Sequence, residues 1–355
     1  MDKVLMKGNE ALGEAAVRAG CKYFFGYPIT PQNELPHYLA QRLPQVGGVF
    51  LQAESEVAAI NMVYGAAGAG ARVMTSSSSP GIALKQEGIS YIAGAELPCV
   101  IVNMVRGGPG LGGIQPAQSD YFQAVKGGGH GDYHLLVLAP ASVQEIVDLM
   151  AQAFDLADQY RNPVMILGDG ILGQMMEPVE FPPYRETKLP EKPWATTGAK
   201  GRQPNIINSL FLEPEQLEAH NQHLFAKYAH MQAHTTMAES YKTDDAAIVL
   251  VAYGSTARIA QAAVDMARQN GILAGLLRPI TLYPFPVREL NAACLNATKV
   301  LTVEMSMGQM IEDVKLALNC RLPVSFFGRV GGMVPSTREV YNAIVALNAE
   351  GATQQ

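Results

Sequence analysis

Two acids, an arginine and a threonine stand out because each lies where an apolar run gives way to a turn. Glu54 and Glu56 follow the run Val-Phe-Leu, and Val57, Ile60, Val63 and Tyr64 then recur at helical steps. Glu56 therefore opens a helix at the end of a strand, the edge where an open parallel sheet places its ligands. The helix dipole alone favours an acid in a first turn, so the position fits a capping role as well as a chemical one. Val-Ala-Ala-Ile follows Glu56, with no cation nearby in sequence. A carboxyl group desolvated in such a setting is placed to share a proton near neutrality, which is general acid–base chemistry. Arg106 ends the strand PCVIVNMV on the same ligand edge, and a guanidinium fork suits a carboxylate; an exposed arginine in a surface ion pair is the plainer alternative. Thr30 sits between Pro28 and Pro31, which hold the loop extended. Its hydroxyl either caps a helix that starts at Pro31 or faces a substrate.

These residues need elements to carry them. After Glu56 the order is a helix rich in small residues, the strand ARVMT, four serines, Pro80-Gly81 and a helix over 81–94. Five glycines and two prolines between Gly107 and Ala117 make a loop, and no GxxxxGK[ST] pattern is present. Asp120, Lys126, His130 and Asp132 are polar candidates in the next loop, with His130 either lining a site or simply sitting in a loop. LLVLAP and NPVMILGDG read as strands around a long amphipathic helix with Ser142 as cap and Glu145 at the capping-box position. The series predicts a doubly wound parallel α/β domain over residues 1–180. Residues 181–245 predict an irregular linker and a polar helical arm. The arm carries His220, His223, His230 and His234, whose spacing suits metal ligands but which lack an acid or cysteine to complete a site, and it is expected to wrap a neighbouring subunit. A smaller α/β domain is predicted over 246–355, with Gly254-Ser255-Thr256 read as a helix cap rather than an anion site.

Composition limits the functional classes. The 355 residues are 48% hydrophobic and 16% charged, as expected of a subunit covered by partners, and the net charge of −6 gives no sign of nucleic-acid binding. No apolar run reaches the roughly 18 residues of a membrane span, and the first residues do not pattern as a signal peptide, so a cytoplasmic protein is expected. Cys21, Cys99, Cys294 and Cys320 form no CxxC pair; all four read as buried reduced thiols, and no iron–sulfur cluster is expected in this chain.

The stretch QAESEVAAINMVYGAAGAGARVMTSSSSPG resembles the pyrimidine-binding domain of thiamine diphosphate enzymes, and GYPITPQNE narrows the likeness. Over its whole length the chain resembles the alpha subunit of a 2-oxoacid:ferredoxin oxidoreductase, with RGGPGLGGIQP closest to the 3-methyl-2-oxobutanoate (2-oxoisovalerate) branch. The resemblance implies a second domain like the C-terminal domain of transketolase. It implies thiamine diphosphate shared with a beta subunit, Glu56 on a ring nitrogen of the aminopyrimidine, and Pro28, Ile29 and Ser79 beside the cofactor. Thr30 and Arg106 are implied to bind the 2-oxoacid. Magnesium and 4Fe-4S clusters would lie in partner subunits, with gamma and delta subunits, ferredoxin and coenzyme A as further partners. The expected reaction is oxidative decarboxylation of a branched-chain 2-oxoacid to an acyl-CoA; 2-oxoglutarate or pyruvate as substrate, or a non-catalytic assembly role, are the alternatives.

Overall fold

Alternating apolar strands and amphipathic helices build an α/β fold on two main sheets. The computed structural model describes residues 3–182 and 189–352, so residues 183–188 of the expected linker lie outside it. The chain runs β1 (Val4–Lys7), α1 (Gly8–Arg18), β2 (Tyr23–Gly26), α2 (Glu34–Gln45), β3 (Val49–Gln52), α3 (Glu56–Gly68), β4 (Val73–Ser77), α4 (Pro80–Gly94) and β5 (Cys99–Val105). It continues through α5 (Tyr121–Val125), β6 (Leu136–Leu138), α6 (Val143–Tyr160), β7 (Pro163–Asp169), α7 (Gly170–Gln174), β8 (Met176–Val179) and α8 (Pro214–His234). The later part holds β9 (Ala238–Tyr241), β10 (Ile248–Val251), α9 (Gly254–Gln269), β11 (Ala274–Pro279), β12 (Thr281–Tyr283), α10 (Val287–Ala293), β13 (Lys299–Glu304), α11 (Met310–Ala317), β14 (Val324–Gly328) and α12 (Thr337–Ala352).

The larger sheet has the order β12-β6-β7-β5-β4-β2-β3 and is parallel except where β12 meets β6. Its central strands β4, β5 and β7 are buried on both faces, as a sheet covered by helices on each side requires. The smaller sheet, β14-β13-β10-β11-β9, is parallel apart from β9. Because β2, β4, β5 and β7 run the same way, the loops after Gly26, Ser77, Val105 and Asp169 gather at one edge of the larger sheet.

Three sequence expectations need correction. The helix after the YPITP segment begins at Glu34 behind Asn33, not at Pro31, so Thr30 does not cap it; a cis Thr30–Pro31 bond lies in the turn before it. The polar helix is shorter than its sequence suggests, ending at His234 before β9; within this chain Leu224, Tyr228 and Met231 enter the core, His220 meets the Gly94 carbonyl at 2.7 Å, and Lys227 pairs with Glu96 at 3.1 Å. Cys320 is exposed, while Cys21, Cys99 and Cys294 are buried. Ser142 caps α6 as expected, accepting from Glu145 N at 3.1 Å, and Glu145 reaches back to Ala141 N while forming a bidentate pair with Arg278.

A buried polar seam joins the two sheets. Gln118 donates to Tyr253 O at 2.9 Å and accepts from Thr256 Oγ1 at 3.1 Å and Met305 N at 3.0 Å. Ser255 donates to Asp169 Oδ2 at 2.5 Å, and Asp169 Oδ1 accepts from Ile171 and Leu172 to cap α7. Burial pushes the Asp169 carboxyl above its ordinary range, against the pull of the Ser255 hydroxyl. The Ser255-Thr256 turn is thus committed to the seam. Replacing Gln118 with leucine strands the Met305 amide in the interior and takes one of two donors from the Tyr253 carbonyl, Thr256 Oγ1 remaining at 2.7 Å. Gln118→Leu is expected to lower unfolding stability by roughly 3 kcal/mol in a urea titration; an unchanged midpoint and slope would remove the seam from this account.

Candidate functional site

Ser55, not an acid, caps α3: its hydroxyl accepts from Ala58 N at 3.2 Å, and its backbone is extended. That leaves Glu56 as the first residue of the helix with its side chain free of capping duty. It turns inward at 6% exposure, whereas Glu54 is exposed. Among the described residues the Glu56 carboxylate has no hydrogen-bond partner. It lies against the start of α4, where a Cβ placed on Gly81 would be 2.6 Å from Glu56 Oε1 and 2.0 Å from Ser77 Oγ. Only glycine fits there. The Ser77 and Ser78 hydroxyls beside it are buried and likewise unpartnered. Two buried hydroxyls without partners, beside a carboxylate that turns inward without one, cost free energy unless a ligand meets them.

The loop ends after β2, β4 and β5 form one network. Arg106, 8% exposed, sends Nη1 to Thr30 O and Nη2 to Leu111 O, each at 3.1 Å, and its Nε is buried without a partner. Ser79 Oγ accepts from Arg106 N at 3.1 Å and donates to Arg106 O at 3.3 Å. Ser79 has φ +28 and ψ −84, a backbone conformation that costs on the order of 1–3 kcal/mol for a residue with a side chain. Asn103 holds it there: its Oδ1 accepts from Ser79 N at 3.0 Å, and its Nδ2 donates to Asp120 at 2.9 Å. Burial raises the Asp120 pKa, while Asn103 and Ser79 draw it down. Gln32 ties the Thr30 loop to β4 through a 2.5 Å bond from Ser76 Oγ.

The structure therefore brings Thr30, Ser79 and Arg106 into direct contact and sets Glu56 beside them across the start of α4. Thr30 contributes its carbonyl to the network, and its hydroxyl has no partner among the described residues. Pro28 is exposed and Ile29 half-buried; neither side chain joins the network. Among the remaining candidates, Lys126 pairs with Asp313, and His130 is exposed in its loop. No three His, Cys, Asp or Glu side chains converge as a metal site among the described residues.

Sequence reasoning missed Asn103 and Gln32, which carry no motif, and Lys85. The absence of a cation near Glu56 in sequence does not hold in space. Lys85 is fully buried in α4 and acts electrostatically on Glu56. Its signal is faint but present: with Ile82, Ile89 and Ile92 it falls on one buried helical face, an unusual place for a lysine.

Family models match most of the chain: one described as "Pyruvate flavodoxin/ferredoxin oxidoreductase, thiamine diP-bdg" over residues 14–245, and "Pyruvate:ferredoxin oxidoreductase core domain II" over residues 246–340. The chain is 52% identical over 346 residues to ketoisovalerate oxidoreductase subunit VorB of Methanothermobacter marburgensis, covering 98% of each. It is 39% identical to 2-oxoglutarate synthase subunit KorA of Archaeoglobus fulgidus, covering 92% of this chain and 95% of that one. Its structure matches a chain of 2-oxoglutarate:ferredoxin oxidoreductase from Magnetococcus marinus, solved with 2-oxoglutarate, coenzyme A and succinyl-CoA bound, at TM-score 0.86 and 27% identity, spanning 97% of this chain and 65% of that one. A split-gene transketolase shares the fold at TM-score 0.62 and 15% identity.

A methyl group on Gly81 tests how tightly the site is built. Gly81→Ala is expected to cost about 1–3 kcal/mol of stability, and the Ser77→Gly, Gly81→Ala double variant to recover part of it. Equal unfolding midpoints for Gly81→Ala and the parent chain would mean that the Glu56 carboxylate is not held against α4.

Proposed function

Because the chain belongs to the 2-oxoacid:ferredoxin oxidoreductase family, we propose that it is the alpha-type subunit of a cytoplasmic enzyme that oxidatively decarboxylates a branched-chain 2-oxoacid. Our reading takes 3-methyl-2-oxobutanoate, coenzyme A and oxidised ferredoxin to acyl-CoA, carbon dioxide and reduced ferredoxin. The relatives named for ketoisovalerate oxidation support the substrate class. In this reading residues 1–180 form the pyrimidine-binding-type domain, 181–245 the linker and arm, and 246–355 the transketolase C-terminal-like domain.

The observation that carries the proposal is the inward-turned Glu56, 6% exposed and with no hydrogen-bond partner among the described residues, flanked by the orphaned Ser77 and Ser78 hydroxyls. A carboxylate in that state fits a ring nitrogen of the thiamine diphosphate aminopyrimidine, so the residues present suit the group. Bound thiamine diphosphate supplies the nucleophilic carbon and the electron sink that loss of carbon dioxide from a 2-oxoacid requires. Glu56 holds a proton at the ring nitrogen, and its low-dielectric surroundings strengthen that contact. Arg106 and Thr30 orient the substrate carboxylate. Both terminal nitrogens of Arg106 are engaged with carbonyls, so a carboxylate takes the free Nε or displaces the Leu111 carbonyl. Ser79, strained and pinned by Asn103, fixes the Arg106 backbone.

The partner assignment belongs to the same proposal. A beta subunit supplies the diphosphate and magnesium site, and further subunits carry the 4Fe-4S clusters that pass electrons to ferredoxin. Exposed apolar side chains around the site support a covering partner: Val49 and Leu51 on the edge strand β3, Val57 on α3, and Leu111, 84% exposed, in the arginine loop.

In the assembled complex, Glu56→Gln is expected to retain assembly and cofactor but to lose turnover by about a hundredfold or more. Near-normal turnover leaves a non-catalytic assembly subunit as the better reading. Arg106→Lys cannot hold both Thr30 O and Leu111 O, and a fall in kcat/KM of about a hundredfold is expected from it. In a panel of 2-oxoacids the branched-chain acid should show the highest kcat/KM; preference for 2-oxoglutarate or pyruvate would overturn the substrate assignment and leave the chemistry.

A further inference from the structure

The arginine loop closes first on itself and then on the second domain. Arg106 pairs with Pro116 as an isolated bridge, and Gly107 N donates to Gln115 O at 2.9 Å. Farther along, Gln309 at the start of α11 brackets Asp120. Its Nε2 donates to Ser119 O at 2.8 Å, and its Oε1 accepts from Phe122 N at 2.8 Å. One turn along α11, Asp313 Oδ2 accepts from Tyr121 Oη at 2.7 Å. The second domain therefore grips the backbone on both sides of Asp120. From there Asp120 Oδ2 accepts from Asn103 Nδ2 at 2.9 Å. Asn103 is fully buried on β5, and its amide can face only one way. An ionised carboxylate only accepts and a backbone N–H only donates, so the amide nitrogen meets Asp120 and the amide oxygen meets Ser79 N, at 3.0 Å. That bond helps hold Ser79 at φ +28, a conformation it would otherwise relax from. The Ser79 hydroxyl in turn meets both the Arg106 amide and the Arg106 carbonyl. A continuous chain of contacts thus runs from the second domain through Asp120, Asn103 and Ser79 to Arg106.

We propose that Asp120 is a positioning residue for the 2-oxoacid: clamped by the second domain, it orients the Asn103 amide that holds Ser79, and Ser79 sets the Arg106 backbone and with it the guanidinium. This role rests on the reading of Arg106 as the group that meets the substrate carboxylate. The Thr30 and Leu111 carbonyls hold the guanidinium from its far end, so losing Asp120 shifts the arginine rather than releasing it. A displacement of about 1 Å at a substrate-orienting group can cost up to about a hundredfold in rate. Glu56, Ser77 and Ser78 lie outside this chain of contacts, so the cofactor's ring contact stays as it is.

The test uses the assembled complex with Asp120→Ala and Asp120→Asn, and with Asp120→Ala combined with Arg106→Lys. Asp120→Ala should lower kcat/KM for the 2-oxoacid by about tenfold, mainly through KM, while KM for coenzyme A and thiamine diphosphate affinity stay within about twofold of the parent. Asp120→Asn keeps a carbonyl for Asn103 Nδ2 and should stay within about threefold of the parent. In the Arg106→Lys background the alanine should cost less than about twofold, because Asp120 acts through Arg106. A tenfold loss that persists in that background, an Asp120→Asn as impaired as the alanine, or parent-like kinetics in Asp120→Ala overturns the proposal. So does a fall in kcat with KM unchanged, which a smaller folded fraction alone would give. Should Asp120→Ala not assemble, Gln309→Glu decides, since it keeps an acceptor for Phe122 N and loses the donor to Ser119 O. A 2-oxoacid KM raised by at least about threefold then supports the proposal, and an unchanged one overturns it. Parent-like turnover in Arg106→Lys sinks both readings, whereas an impaired Arg106→Lys beside a parent-like Asp120→Ala sinks this one alone.

Discussion

A carboxylate turned into the fold with no hydrogen-bond donor among the described residues is the constraint around which this fold closes. Glu56 is buried at the first residue of α3, and the serine before it does the capping that an acid at a helix start would otherwise do. The side chain is therefore released inward, toward Gly81 and the orphaned serine hydroxyls. Natural interiors rarely leave such groups unmet, because each costs more than a typical hydrogen bond returns. Here two such hydroxyls, of Ser77 and Ser78, lie beside the inward-turned Glu56 at the strand ends of a parallel sheet, where a ligand is expected to meet them.

The rest of the architecture keeps that corner in place. Parallel strands β2, β4 and β5 deliver Thr30, Ser79 and Arg106 to one edge, and hydrogen bonds between their loops remove the slack that loops ordinarily have. The strained backbone of Ser79 persists because Asn103 and Arg106 hold it from two sides. Farther along, Gln118 anchors the end of the glycine-rich arginine loop in the second sheet. The second domain therefore bears on the site without contributing a side chain to it, and Asp169 with Ser255 reinforces the same seam.

Much of this was legible in the sequence, for identifiable reasons. The alternation of apolar strands and amphipathic helices gave the parallel α/β fold, the motifs around Glu56 and Thr30 gave the family, and the strand-end positions of Glu56 and Arg106 placed them on one edge, to which the family resemblance added Ser79. Local chemistry misled where tertiary contacts decided: Pro31 is a good first helical residue, yet the helix begins three residues later, at Glu34. The histidines of the arm read as a solvated face, but the apolar residues among them seat α8 on its own domain. Lys85 was hidden because a lysine in a helix is ordinarily solvated, and only the packing of α3 on α4 makes it a neighbour of Glu56. Asn103, Gln32 and Gln118 act through long-range bonds that no local pattern encodes.

The central claim concerns where one acid points when the subunits are together. A structure of the complete assembly with thiamine diphosphate bound measures it directly. The account predicts a Glu56 carboxylate oxygen within about 2.6–3.2 Å of an aminopyrimidine ring nitrogen, shielded from water by the partner chain. A cofactor seated elsewhere, with Glu56 facing bulk water or bound only to protein groups, would contradict it.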